Sequence, residues 1–186
     1  MGRIVTVSGP RGVGKTTVMH RLSDVHGIDP IVPYTTRGIR DTEIDGRDYH
    51  FVDRLTFLDM MTAETMFDVL EIQGQYYGTP EKQLYETLRG DKIRTFNVAC
   101  DTALNLQKKY GYGLIRTVML LPNSMQDIQG QMRDCGVDED EIAQRMRDEP
   151  NKLSLISAFN QVIVNERGKL DQTVAKMVDY VNNISV

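Results

Sequence analysis

The chain opens with a short β-branched run, residues 3–8, that stops at Gly9-Pro10, and over residues 15–23 apolar positions recur at helical spacing. Strand, glycine turn and helix is how an α/β domain begins. Residues 31–32, 49–52 and 66–72 are short and strand-like, divided by polar turns such as Asp45-Gly46. They predict a small mixed sheet inserted after the first helix, with residues 55–61 as a helix inside it. Helix (81–88), strand (93–98), helix (102–110) and apolar strand (114–121) then alternate, the pattern of parallel strands with crossover helices. Residues 124–134 and 138–148 predict a helical hairpin broken at Cys135-Gly136, with Asp138 as N-cap of its second arm. A short strand (161–165) and an amphipathic helix (169–181) close the chain.

Composition narrows the class. With 186 residues, 40% hydrophobic and 26% charged, the chain is long enough for one compact core and predicts neither disorder nor a fibrous repeat. Its formal charge of −4 argues against a general nucleic-acid binder. Cys100 and Cys135 lie far apart with no sulfur or histidine partner at metal-ligand spacing, so neither a disulfide framework nor a zinc site is expected. No apolar run reaches the length of a membrane span, and residues 1–6 read as a strand and not as a signal segment. A cytoplasmic protein, monomer or homodimer, without nucleic-acid or membrane partners is the expectation.

Gly9-Pro10-Arg11-Gly12-Val13-Gly14-Lys15-Thr16-Thr17 matches G-x-x-x-x-G-K-[ST] between a strand and a helix, where that motif must lie. Its glycines let successive N–H groups point inward at phosphate oxygens, and the following helix adds the positive end of its dipole. Lys15 is expected to reach the outer phosphates of ATP, and Thr16 to give its hydroxyl to Mg²⁺. Residues 34–51 are dense in phosphate-binding groups, among them Arg37, Arg40 and Tyr49; arginine offers a planar fork suited to a phosphate. Glu71, followed by Tyr77, Gly78 and Thr79, adds an acid that could accept from a base edge.

Taken together, the phosphate loop, Thr-Thr-Arg-x-x-Arg, Glu-x-x-Gly-x-Asp-Tyr-x-Phe and the Glu…Tyr-Tyr-Gly-Thr cluster resemble guanylate kinase in order and spacing, and the likeness runs on to Val162-Ile163-Val164-Asn165. The resemblance implies a three-layer P-loop α/β fold: one domain over 1–186, with a core (about 1–32, 80–122 and 151–186), a nucleoside monophosphate-binding region (about 33–79) and a lid (about 123–150). It implies an ATP- and Mg²⁺-dependent kinase for small-molecule nucleotides. Arg37, Arg40, Tyr49 and Tyr77 would hold the acceptor phosphate, Glu71 and Thr79 would face a guanine-like edge, and Arg145 would close over the transferring group.

The chain departs from that pattern at Pro33, where the family has a serine, and at Asn97-Val98-Ala99, where it commonly has Asp-x-Asp, with Asp101 beyond. The lid keeps Arg145, while Arg133 and Arg147 stand two residues from family arginine positions. No Ser-His-Asp or Cys-His arrangement is evident, and His20, His26 and His50 are scattered; phosphoryl transfer between nucleotides needs positioning and charge neutralisation, not a protein nucleophile. Two other readings stay open: a same-fold kinase for another or modified base, and a non-catalytic phosphopeptide-binding module.

Overall fold

The computed structural model describes residues 1–63, 66–134, 136–147 and 154–184. Its centre is a parallel four-stranded sheet in the order β6-β1-β7-β8, built from β1 (Arg3–Ser8), β6 (Ile93–Asn97), β7 (Ile115–Pro122) and β8 (Gln161–Asn165). β1 is covered on both faces, which is why its sequence is a continuous apolar and β-branched run without alternation. Val5 and Val7 pack with α1 (Lys15–His26) and α7 (Leu170–Ile184), while Ile4 packs with α3 (Glu81–Arg89) and α4 (Cys100–Tyr110). Helix, sheet and helix thus make the three layers that the alternating pattern predicts.

A second sheet, ordered β3-β2-β5-β4, is mixed: β2 (Tyr34–Thr35) runs parallel to β3 (His50–Phe51) and antiparallel to β5 (Gln75–Pro80), which is antiparallel to β4 (Met66–Ile72). Helix α2 (Arg54–Thr62) begins with Asp53, whose carboxylate accepts from the Thr56 amide. Helices α5 (Met125–Asp134) and α6 (Glu139–Arg147) form the hairpin, sealed by Ile128, Met132 and Ile142. Ser124 and Asp127 cap α5 reciprocally, and Asp138 accepts from the Glu141 amide as the expected N-cap of α6.

Two elements differ from the sequence expectation. Residues 31–32 form no named strand: Pro30 bridges Thr95, and the Ile31 amide donates to the Thr95 carbonyl at 2.7 Å, so this segment lines the edge of β6 and the second sheet begins only at Tyr34. β5 is a strand that Gly78 and Pro80 hide from any propensity argument. It pairs with β4 through a tight turn at Gln73-Gly74, both at positive φ (52° and 75°). Among the described residues no helix is long and apolar enough to cross a membrane.

Candidate active site

The carboxyl ends of β1 and β6 lie side by side, Val7 opposite Asn97, and a cleft of about 1030 Å³ opens beyond them. Open α/β sheets bind ligands there. Gly9, Arg11, Gly12, Lys15 and Thr16 line its donor side. The loop's shape is fixed from below. Val13 is buried in the core while its carbonyl accepts from Asn165 Nδ2 at 2.7 Å, at the end of β8. Gly9 (φ 145°) is tolerated only as glycine: a Cβ there would stand 2.2 Å from the Leu120 carbonyl oxygen. Gly12 faces Met132 and Ile128 of α5 from above.

Gly14, in the left-handed region, offers α1 no side-chain cap, and the first turn of α1 carries no acid, so its leading N–H groups are left for an anion. Lys15 Nζ donates to the Gly9 and Pro10 carbonyls, both at 2.8 Å, which stations the ammonium over its own loop. Thr16 is exposed to the cleft, whereas Val13, Gly14 and Thr17 are not among its lining residues.

Across the cleft stand Arg37, Arg40, Tyr49, Tyr77, Gly78 and Thr79. Arg37 is held by Glu43, which opens the Glu-x-x-Gly-x-Asp-Tyr-x-Phe stretch and to which the sequence assigned no role of its own. Both guanidinium nitrogens donate to Glu43, at 2.7 and 3.0 Å, and the Arg40 amide donates to the same carboxylate at 3.0 Å. Glu43's hydrogen bonds raise the Arg37 pKa above its ordinary value. Burial acts to raise Glu43's own pKa, but Arg37 and the Arg40 amide outweigh it and hold the carboxyl below the usual range. The Arg37 guanidinium carbon lies 5.6 Å from the Tyr49 ring centroid and 5.7 Å from that of Phe51. Tyr49 meets Tyr77 edge to face at 5.9 Å, and burial raises the Tyr49 pKa. No periodicity links Arg37 to Glu43, six residues apart in a loop, so only the fold reveals the pair.

This segment is moored to α1. Asp48 lies 3.4 Å from His20 Nε2, and Arg47 donates to Asp24 at 2.7 Å. His20 therefore borders the cleft, while His50 packs on the Tyr34 ring.

The acid of β4 that lines the cleft is not Glu71. Glu71 is exposed and absent from the lining, whereas Leu70 and Ile72 border the cleft, on the other face of the strand. Asp68 lines the cleft instead. The β4–β5 register slips between Phe67 and Leu70, and Asp68 at φ 54° turns inward at that irregularity. It is half-buried, burial pushes its pKa up, and its Oδ1 accepts from the Thr102 hydroxyl at 3.2 Å. The bulge carries no sequence signal. Pro33, Asn97, Ala99 and Asp101 also line the cleft.

On the lid side Glu141 reaches the lining, and Arg145 stands one helical turn beyond it in α6; the side chain of Arg145 and residue 148 lie outside what is described, as do the side chain of Arg147 and all of Cys135. Arg133 is exposed, outside the lining, and donates to Glu139 through Nε and Nη2.

The family model described as guanylate kinase matches residues 1–184. A guanylate kinase of Pseudomonas syringae is 33% identical over 175 residues, 89% of this chain and 81% of the relative. One of Lactococcus lactis is 31% identical, covering 96% and 87%. The crystal structure of a guanylate kinase from Anaplasma phagocytophilum superimposes with a TM-score of 0.78 at 23% identity, over all of this chain and 87% of that one. A loop built for phosphates, facing an arginine and two tyrosines across one cleft, agrees with these likenesses: the chain belongs to the guanylate kinase family and is an ATP-dependent nucleoside monophosphate kinase.

Proposed function

We propose that this enzyme transfers the γ-phosphoryl group of ATP to a guanine nucleoside monophosphate in the cytoplasm, residues 33–79 carrying the acceptor and residues 123–150 serving as lid. The observation that carries the reading is the pairing, within one cleft, of the Gly9–Thr16 cradle with the Arg37–Glu43 fork. The phosphate loop binds the donor's phosphates through backbone amides and Lys15, and Arg37, Arg40, Tyr49 and Tyr77 fix the acceptor phosphate. An oxygen of that phosphate forms the new bond to the γ-phosphorus as the bond to the β–γ bridging oxygen breaks, so the acceptor supplies its own nucleophile. Lys15 neutralises charge moving onto the leaving diphosphate. Arg145 is assigned to the transferring group from the lid.

Mg²⁺ fits the donor set. Among the described residues no three His, Cys, Asp or Glu cluster around a point, while Thr16 offers a hydroxyl beside the phosphate cradle. That suits a hard cation carried mainly by phosphate oxygens and water. Bound there, it would neutralise phosphate charge.

Asp68 replaces Glu71 as the acid toward the base. A carboxylate accepts two adjacent N–H groups, and guanine presents N1–H beside its 2-amino group. Pro33 and Ala99, lining the same cleft, offer no side-chain hydrogen bond and favour a second reading, a kinase of another nucleotide. A coupled assay with ATP across the common ribo- and deoxynucleoside monophosphates decides. Preference for GMP or dGMP is expected; preference for another base replaces the first reading with the second, and ATP binding without transfer to any nucleotide overturns both.

A further inference from the structure

Asp68 belongs to the second sheet and Thr102 to α4, which packs on the parallel sheet, so the hydrogen bond between them joins the cleft's two walls. Both partners are unusual. Asp68 holds a left-handed conformation at the point where the β4–β5 ladder slips, a strain that persists only where surrounding structure imposes it. Thr102 is the third residue of a helix whose N-cap, Ala99, provides no side-chain cap. Its hydroxyl and the positive end of α4 both favour the ionised carboxylate, against the burial that disfavours it.

We infer that Thr102 is a positioning residue for base selection: by donating to Asp68 Oδ1 it fixes the plane of the carboxylate so that its remaining lone pairs meet two neighbouring N–H groups of the acceptor base. This rests on the reading above, in which a nucleoside monophosphate occupies the cleft with its base toward Asp68. A carboxylate terminates in a broad, two-fold torsion and turns easily unless something holds it. Two parallel acceptors discriminate between bases only when their plane is fixed. Because donor and acceptor sit on opposite walls, base reading is completed only when the walls meet as they do here.

A tie that served the fold alone would lower stability and weaken every acceptor equally. A positioning role changes the ratio between acceptors. GMP and IMP share ring, ribose and phosphate and differ in the 2-amino donor, so their ratio isolates the second N–H. Thr102→Val and Thr102→Ala remove the hydroxyl with different bulk, Thr102→Ser keeps it, and thermal unfolding is followed for each. With saturating ATP and the full chain, the valine and alanine variants should lose about tenfold of the GMP-over-IMP preference in kcat/KM, the worth of a charge-assisted hydrogen bond. The loss should fall mainly in the GMP KM, with IMP little changed and serine restoring the native ratio. In an Asp68→Asn background Thr102→Val should add nothing. An unchanged ratio in both variants, an equal loss for both nucleotides, or failure of serine to restore it overturns the inference while the native enzyme's guanine preference stands. A native chain that phosphorylates no nucleotide overturns the acceptor reading and this inference with it.

Discussion

The donor cradle is made of backbone and the acceptor pocket of side chains, and the two regions differ accordingly in how they tolerate change. Around the donor, Gly9, Gly12 and Gly14 adopt positive φ, Val13 is sunk in the core, and Asn165 ties the Val13 carbonyl to β8. Across the cleft, Arg37 is aimed by Glu43, backed by Tyr49 and Phe51, and moored through Arg47 and Asp48 to α1. A backbone cradle permits almost no substitution at its turns but needs few particular side chains. A side-chain pocket can trade one recognition group for another while its scaffold stands. This chain accordingly combines an intact phosphate loop with Pro33 and Ala99 in the lining of the cleft.

The comparison breaks most visibly at Lys15, whose ammonium is stationed over the loop. Lys15→Ala should lower kcat by about 10²-fold or more while circular dichroism and thermal unfolding stay near native, since the side chain lies at the surface of the cleft and its hydrogen bonds at 2.8 Å run to its own loop's carbonyls. Steady-state kinetics with saturating acceptor measures it, and near-native turnover would remove Lys15 from the mechanism. Gly9→Ala tests the backbone side of the contrast. Its Cβ would meet the Leu120 carbonyl at 2.2 Å, in a φ that disfavours any side chain, so the loop must shift. An approximately tenfold or larger loss of kcat/KM for ATP, together with a lowered Tm, is expected, since small misplacements of reacting groups are costly.

Glu43→Gln is the matching test on the acceptor side. It leaves Arg37 in place but deprives the guanidinium of its bidentate carboxylate, so the acceptor KM should rise about tenfold with kcat less affected. The pH dependence follows from the same pair. Glu43's folded pKa is depressed, so its contribution to stability is fully present above the ordinary carboxylate value and is lost only as pH falls through the lower, folded value. Asp68 runs the other way: burial raises its pKa above the ordinary aspartate value. The GMP-over-IMP preference should therefore begin to fall, as pH drops, above the pH at which an ordinary aspartate takes up its proton. The acceptor phosphate titrates equally in both nucleotides and cancels from the ratio.

How much of this was legible in the sequence follows the same division. The phosphate loop is a local motif: glycines, lysine and threonine at fixed offsets between strand and helix specify their own geometry, and the structure places Gly9, Lys15 and Thr16 at the cleft as spacing predicts. Arg37, Arg40, Tyr49, Tyr77 and Thr79 were legible as a set, because family order brought them together. Glu43 stood in the sequence motif, but its pairing with Arg37 was not legible, nor was Thr102, for each acts through a partner that loop closure or tertiary packing supplies. β5 escaped notice because glycine and proline break the strand pattern at its end. The hairpin's arms and the cap of its second helix were legible from the apolar spacing and Asp138, yet whether Arg133 entered the site was not: its Glu139 partner is a feature of the folded turn.

The choice of Glu71 over Asp68 mistook the face of β4, and the Glu71 side of it yields the smallest expected effect. Alternation that turns Leu70 and Ile72 toward the cleft turns Asp68 with them and Glu71 away, so the choice of Glu71 rested on the family cluster and not on strand register. Glu71→Gln should leave both kinetic constants within about twofold for every acceptor, as an exposed substitution away from the cleft. Asp68→Asn should do two opposite things. The preference for GMP over IMP should collapse, because an amide offers one acceptor where the carboxylate offered two. The fold should gain slightly in Tm at neutral pH, by roughly 1–3 °C, because a raised folded pKa means that ionising Asp68 costs stability above its ordinary pKa and an uncharged amide is spared that cost. Asparagine also tolerates the left-handed φ of this position as well as aspartate does. Scanning calorimetry at pH 7 beside the kinetic ratio separates the two effects; loss of preference in Glu71→Gln with none in Asp68→Asn would return the base-facing role to Glu71.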